Sequence, residues 1–77
     1  ACVNIGTPVV SMYHWQDRFE TAQEVPLVIK TRRALYGRVE AAIRAGHPYE
    51  LPEIVAVPLT DGFAPYLDWI AAETTTR

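Results

Sequence analysis

Two short runs rich in apolar, β-branched and aromatic residues open the chain and predict β-strands. Residues 1–5 are apolar except for Asn4, and residues 9–15 place their side chains alternately on the two faces of a strand. Between these runs, residues 6–8 read Gly-Thr-Pro and predict a bulge or a bend.

A return strand is predicted after a turn at residues 16–18. Residues 19–31 end in another β-rich run, and together with residues 9–15 they predict a long hairpin. Pro26 cannot donate a ladder hydrogen bond, so we expect it at an edge or a bulge.

The strand pattern gives way to a helical period after residue 31. Thr31 is the predicted N-cap, and Gly46 together with Pro48 should end the helix. The apolar face of this helix consists of Leu35, Val39, Ala42, Ile43 and Gly46.

The last third of the chain predicts one more strand and one more helix. Residues 54–59 are a candidate buried strand, followed by a turn at residues 60–62. Pro65 suits the first turn of a helix, and residues 74–77 are expected to fray. The order strand, strand, helix, strand, helix predicts an α+β fold. The apolar side of the last helix would comprise Phe63, Tyr66, Leu67 and Ile70.

Length and composition narrow the range of functions. The 77 residues accommodate one domain, residues 1–77; a domain this small buries only about 60% of its unfolded surface and usually needs a metal, disulfides or partners. Seven Lys and Arg against nine Asp and Glu give a net charge of −2, which does not favour nucleic-acid binding. No apolar run reaches the roughly 20 residues of a membrane span. The single cysteine, Cys2, excludes an internal disulfide, and a lone thiol without a signal peptide predicts a cytoplasmic protein.

Six short motifs follow one another along the chain: Ala1-Cys2-Val3-Asn4-Ile5, Ser11-Met12-Tyr13-His14-Trp15, Val28-Ile29-Lys30-Thr31, His47-Pro48-Tyr49, Pro52-Glu53-Ile54-Val55-Ala56-Val57-Pro58 and Tyr66-Leu67-Asp68-Trp69. In this order they resemble the CutA family of divalent-cation tolerance proteins, over essentially the whole chain. The resemblance implies a ferredoxin-like sandwich with a long β-hairpin. It also implies a homotrimer of PII-like architecture, in which the hairpins of different subunits pair.

The opening strand and first helix of that family have no counterpart in these 77 residues. In a ferredoxin-like fold the first strand lies centrally in the sheet, so its absence would leave two neighbours with unpaired backbone groups. We expect either an unrecorded segment or a companion chain to supply this strand and helix. A smaller departure is Asp17 in the hairpin turn, where the family usually has Gly; Asp tolerates turn conformations.

The resemblance further implies metal binding near His47 and Cys2, which match a histidine and a cysteine of the family. Imidazole binds copper or zinc well, and thiolates prefer Cu(I) or zinc. Two ligands do not close a tetrahedral site, so water, further residues or other subunits would complete it. The structural alternatives are a histidine that stabilises a helix C-terminus and a small buried cysteine in a strand.

A second set of residues matches positions that line clefts between subunits in the family. Aromatic walls with one lysine would suit a small organic anion. The alternative is interface packing, with the polar tips of Tyr and Trp hydrogen-bonded. This cleft-lining set is Trp15, Lys30, Tyr49, Tyr66 and Trp69.

Catalytic motifs are lacking: the sequence has no Gly-x-Ser-x-Gly, no His-Glu-x-x-His, no glycine-rich phosphate loop and no Cys-x-x-Cys. We therefore do not expect an enzyme. The leading hypothesis is a trimeric metal-binding protein linked to tolerance of copper or another divalent cation, with no cofactor required for folding. The alternatives are a PII-like regulatory module that binds a small anion and a purely structural trimeric scaffold.

Overall fold

Antiparallel strands followed by two helices confirm the predicted α+β class. The structure, a computed structural model, describes residues 1–75. A short 3-10 turn, Arg33–Leu35, leads into the first helix. The strands are β1 (Cys2–Ile5), β2 (Val9–Trp15), β3 (Arg18–Glu24) and β4 (Leu27–Lys30), and the helices are α1 (Tyr36–Gly46) and α2 (Ala64–Glu73).

Strands β2 and β3 form the predicted hairpin, in register from Val9 opposite Glu24 to Trp15 opposite Arg18. Gln16 and Asp17 connect them with φ angles of 51° and 62°. Positive φ at both central residues is the geometry of a type I′ turn, whose twist matches that of the two strands. The turn therefore lies where the sequence predicted it, and Asp17 does adopt a conformation that usually favours Gly.

The predicted long hairpin is wrong beyond Glu24, because β4 pairs with β1 rather than with β2. Residues 6–8 lie opposite only two residues, Val25 and Pro26, so the first side of the ribbon carries one extra residue, a bulge. Pro26 sits at this break, as expected for a residue that lacks an N–H. Its carbonyl accepts the Gly6 N–H at 2.9 Å, which joins the two ladders.

Helix α1 begins differently from the prediction. Thr31 is not its N-cap; the chain enters through the 3-10 turn, in which the Leu35 N–H donates to the Arg32 carbonyl at 3.0 Å. That bond gives the Leu35 N–H an acceptor, which a capping side chain would otherwise have to supply. The helix ends at Gly46 as predicted, and the His47 N–H closes the last turn on the Ile43 carbonyl at 2.8 Å.

The predicted strand over residues 54–59 is wrong, since this segment belongs to no ladder and lies largely exposed. Val55 and Val57 are 76% and 80% exposed. An extended segment becomes a strand only when a neighbouring strand forms hydrogen bonds with its backbone N–H and C=O groups. None of strands β1–β4 pairs with residues 54–59. A bond from the Tyr36 hydroxyl to the Ile54 carbonyl, 3.3 Å long, ties the start of the segment to α1.

Helix α2 has Pro65 in its first turn, as predicted. Of its predicted apolar side, Ile70 is buried, with 5% of its surface exposed, whereas Phe63 is largely exposed. Among residues 1–75, Ile70 is also the only buried apolar residue. The hydrophobic core of one isolated chain is therefore minimal.

Arg32 anchors the end of α2, although the two lie 42 residues apart in sequence. Its Nε donates to the Thr74 hydroxyl at 2.9 Å and a terminal nitrogen donates to the Thr74 carbonyl at 2.6 Å. The hydroxyls of Thr74 and Thr75 donate in turn to helix carbonyls. The expected fraying is thus wrong for Thr74 and Thr75, while residues 76–77 lie outside the described chain.

Replacing Gly6 by alanine should destabilise the junction between the two ladders. An added Cβ would lie 2.9 Å from Cγ of Pro26 and 3.4 Å from its carbonyl oxygen, so the ribbon must shift. We expect a loss of about 1–3 kcal/mol, measured by urea unfolding. The matched control is Gly37→Ala in α1, where an added Cβ meets nothing within 4 Å; it should stabilise by about 0.5–1 kcal/mol. Equal effects of the two changes would contradict the junction geometry.

Replacing Arg32 by methionine should release the end of α2. The change keeps most of the aliphatic stem but removes both hydrogen bonds to Thr74, and bonds from a charged group contribute about 1.5–3 kcal/mol. Thermal unfolding should show a lower midpoint, and the Thr74 amide should exchange faster. Arg38→Met, at an exposed position of α1, serves as control. If the two variants unfold alike, the contact contributes no stability.

Candidate functional site

His47 directly follows α1, in the extended conformation (φ −88°, ψ 136°) that a following proline favours. Its Nδ1 accepts the backbone N–H of Tyr49 at 3.1 Å. The two rings pack edge-to-face, with centroids 4.7 Å apart and planes at 67°. The His47-Pro48-Tyr49 motif is therefore a small self-bonded turn rather than an open loop.

Cys2 opens β1 directly opposite Lys30 on β4, and both side chains are half-buried. Asn4 shares that face of the strand, since it lies two residues from Cys2. Its Oδ1 accepts a hydrogen bond from the Lys30 ammonium and lies 4.0 Å from the Cys2 thiol, which is free. The thiol therefore neighbours a cation and an amide rather than a second ligand of the metal-binding type.

The donor chemistry of His47 and Cys2 suits copper or zinc, but the geometry of one chain does not complete a site. Nowhere in residues 1–75 do three or more His, Cys, Asp or Glu side chains come together as a metal cluster would require. His14, a further imidazole, packs edge-to-face on Phe19 at 5.9 Å in the exposed hairpin. The residues present therefore do not form a metal centre in this conformation of a single chain.

The predicted cleft-lining residues are brought together only in part. Tyr66 and Trp69 stack on α2, with ring centroids 5.8 Å apart and planes at 27°. Lys30 is engaged by Asn4, Tyr49 packs on His47, and Trp15 ends β2 half-buried opposite Arg18. One chain thus supplies separate pieces of a possible cleft, on α2, on the β1–β4 ladder and after α1.

A shallow depression of about 210 Å³ lies between the end of β3 and the His47-Pro48-Tyr49 turn. Sequence reasoning missed it, because the two segments that line it are more than 20 residues apart and share no motif. It also missed Asn4 as the partner of Lys30. The depression is lined by Gln23, Glu24, Val25, His47, Pro48 and Tyr49.

Neither helix of the described chain has the length and apolar character that crossing a bilayer requires.

Comparison with known sequences points to one family. Residues 1–73 match the family model described as CutA1 divalent ion tolerance protein. The CutA homolog of Danio rerio is 41% identical over 75 residues, which make up 97% of this chain and 50% of that protein. The divalent-cation tolerance protein CutA of Thermus thermophilus is 40% identical over 74 residues, covering 96% of this chain and 72% of that protein. The chain thus spans only half the length of the first of these relatives.

Solved structures point the same way. The divalent cation tolerance protein of Thermus thermophilus superposes with a TM-score of 0.92 at 39% identity, covering 96% of this chain and 72% of that one. CutA1 of the psychrotrophic bacterium Shewanella sp. SIB1 gives a TM-score of 0.93 at 40% identity, covering 97% of this chain and 70% of that one. Sequence, motif order and backbone geometry agree, and the chain belongs to the CutA1 family of divalent ion tolerance proteins.

Proposed function

We propose that this protein binds copper or another divalent cation as a homotrimer and so contributes to tolerance of that cation. The observation that carries this proposal is the match of residues 1–73 to the divalent ion tolerance family. His47 and Cys2 are the proposed ligands, because imidazole and thiolate suit copper and zinc. Since one described chain gathers no cluster of three ligands, the proposed site takes its remaining ligands from water or from neighbouring subunits.

The proposed assembly is a trimer of ferredoxin-like subunits with PII-like architecture. Exposed apolar side chains on the hairpin support it: Val10, Met12 and Phe19 share one face of the β2–β3 ladder and are each more than 60% exposed. An isolated two-stranded hairpin is marginal in water, and burying such a face on another subunit contributes about 25 cal/mol per Å². The hairpin is therefore the proposed subunit contact.

A further strand and helix, from a companion chain or from a segment outside this sequence, complete the proposed subunit. The support is the segment 54–59, which belongs to no ladder and whose Val55, Val57 and Leu59 are each more than 60% exposed. An added strand would take its free N–H and C=O groups, and a helix would cover the apolar side chains.

The proposed role is binding rather than catalysis, in the cytoplasm. The matching family and the Thermus thermophilus relative are named for divalent-cation tolerance, and neither name refers to a reaction. A regulatory module that binds a small anion through Lys30, and a purely structural scaffold, are the competing outcomes of the first experiment below.

Metal binding should raise the thermal unfolding midpoint. A cation at about 100 times its dissociation constant stabilises the native state by ~2.7 kcal/mol. We expect Cu²⁺ or Zn²⁺ to shift the midpoint of the wild type, and His47→Ala to abolish most of the shift. His14→Ala, which removes an exposed imidazole from the hairpin, is the control and should respond as wild type does.

The competing functions give different results in the same assay. A shift with small organic anions that is lost in Lys30→Ala would favour the regulatory module. Absence of any shift, with metals or anions, would leave the scaffold and refute metal binding.

Placing a charge on the exposed hairpin face should dissociate the assembly. Light scattering should give the wild type three times the mass of one complete subunit, and Met12→Glu should lower it. Ala41→Glu, at an exposed position of α1, adds the same charge away from the hairpin and should leave the mass unchanged. A Met12→Glu protein of undiminished mass would rule this face out as the subunit contact.

A further inference from the structure

We propose that His14 makes the subunit contact through the hairpin depend on pH, so that the assembly is strong when this imidazole is neutral and weak when it is protonated. This inference rests on the proposed assembly and adds a means of regulating it. Its starting point is the composition of the exposed face of the β2–β3 ladder.

The exposed face of the hairpin carries no Lys, Arg, Asp or Glu side chain. Side chains alternate along each strand, and residues directly opposite each other in an antiparallel ladder lie on the same face. The register therefore assigns six residues to this face, all of them exposed: Val10, Met12, His14, Phe19, Thr21 and Gln23. Of these six, only His14 changes its charge near neutral pH.

The charged side chains of the hairpin lie elsewhere. Those on the strands occupy the opposite face, and they are Arg18, Glu20 and Glu24. The remaining charge, Asp17, lies in the exposed turn. On β3, the strand that pairs with β2, the residue directly opposite His14 is Phe19, and the two rings pack edge-to-face at 5.9 Å. A phenyl ring offers no carboxylate that could compensate the charge of an imidazolium.

Burying this face in a subunit contact would take His14 out of water. Desolvation disfavours the charged form of a histidine, and the same uncharged face of a second copy brings no carboxylate to offset that cost. A protonated chain must therefore release its proton in order to assemble. Acid opposes this release, so the assembly is strongest above the pH range in which a free imidazole titrates and weakens as the pH falls through that range.

The size of the effect follows from the number of protons released. Each proton changes the association constant by up to about tenfold per pH unit. Three chains that each release one proton would give up to about a thousandfold per pH unit. At neutral pH the face is uncharged, so replacing His14 by another neutral residue should leave the assembly in place.

Light scattering of the complete protein, in dilution series at about pH 8 and about pH 5, tests this inference. For the wild type we expect the concentration of half-assembly to be at least about tenfold higher at the lower pH. His14→Gln, which stays neutral, should assemble alike at both pH values, and His14→Lys, which stays charged, should assemble weakly at both. Urea unfolding gives a second measurement that does not require dissociation: on acidification, the midpoint should fall further for the wild type than for His14→Gln.

The outcomes separate this inference from the proposed assembly. If the wild type and His14→Gln respond to pH alike in both measurements, the inference is wrong and the assembly stands. Stronger assembly of the wild type at the lower pH would mean that the contact favours the imidazolium, which also overturns the inference alone. A protein that stays monomeric at both pH values would overturn both the inference and the assembly.

Discussion

Each backbone N–H and C=O of a strand needs a partner, and this requirement shapes nearly everything described above. Strands β1 to β4 meet it along one edge each, through two ladders that Gly6 and Pro26 join. Residues 54–59 have strand-like composition but no strand beside them, so they remain irregular and exposed. The backbone therefore forms regular strands where β1 to β4 lie beside one another. It stays irregular at residues 54–59, where none of these strands lies alongside.

The same incompleteness appears in the hydrophobic packing. The chain measures 46 × 24 × 19 Å, an elongated shape that follows the ribbon and leaves little interior. With Ile70 as its one buried apolar residue among residues 1–75, the chain gains little from core burial alone. Polar contacts such as that of Arg32 with Thr74 and backbone ladders therefore have a larger share in holding the subunit together. Assembly is where the apolar surface would find its partners.

The sequence could predict features that depend on neighbouring residues. The hairpin turn, the break at Pro26 and the end of α1 at Gly46 each follow from the backbone preferences of one or two residues. The prediction for residues 54–59 failed because composition reports the preference for a strand and not the presence of its partner. Thr31 failed as a cap because the 3-10 entry to α1 depends on how the chain leaves β4.

In the candidate sites, too, contacts between residues close in sequence were predictable and contacts between distant residues were not. Motif order correctly pointed to the family, and His47 and Tyr49 do contact each other, as residues two apart in a turn readily do. The pairing of Lys30 with Asn4 depends on the register of two strands 26 residues apart in sequence, which no local pattern encodes. Whether His47 offers a lone pair or a proton depends on one hydrogen bond, and residue type alone cannot reveal it.

The bulge at residues 6–8 has a consequence for reading related sequences. Side chains alternate along a strand, and the bulge interrupts that alternation: Ile5 and Val9 are four residues apart, yet their partners Leu27 and Glu24 are three apart, so the two side chains face opposite sides. Cys2 lies opposite Lys30 because the bulge absorbs the extra residue; an unbulged continuation of the β2–β3 register would place Cys2 opposite Thr31. The length of this short connection is therefore as informative as its composition. A relative with one residue fewer there would need no bulge and could keep the same partners along β1 and β4, so a one-residue gap at this point of an alignment leaves the faces of β1 unchanged.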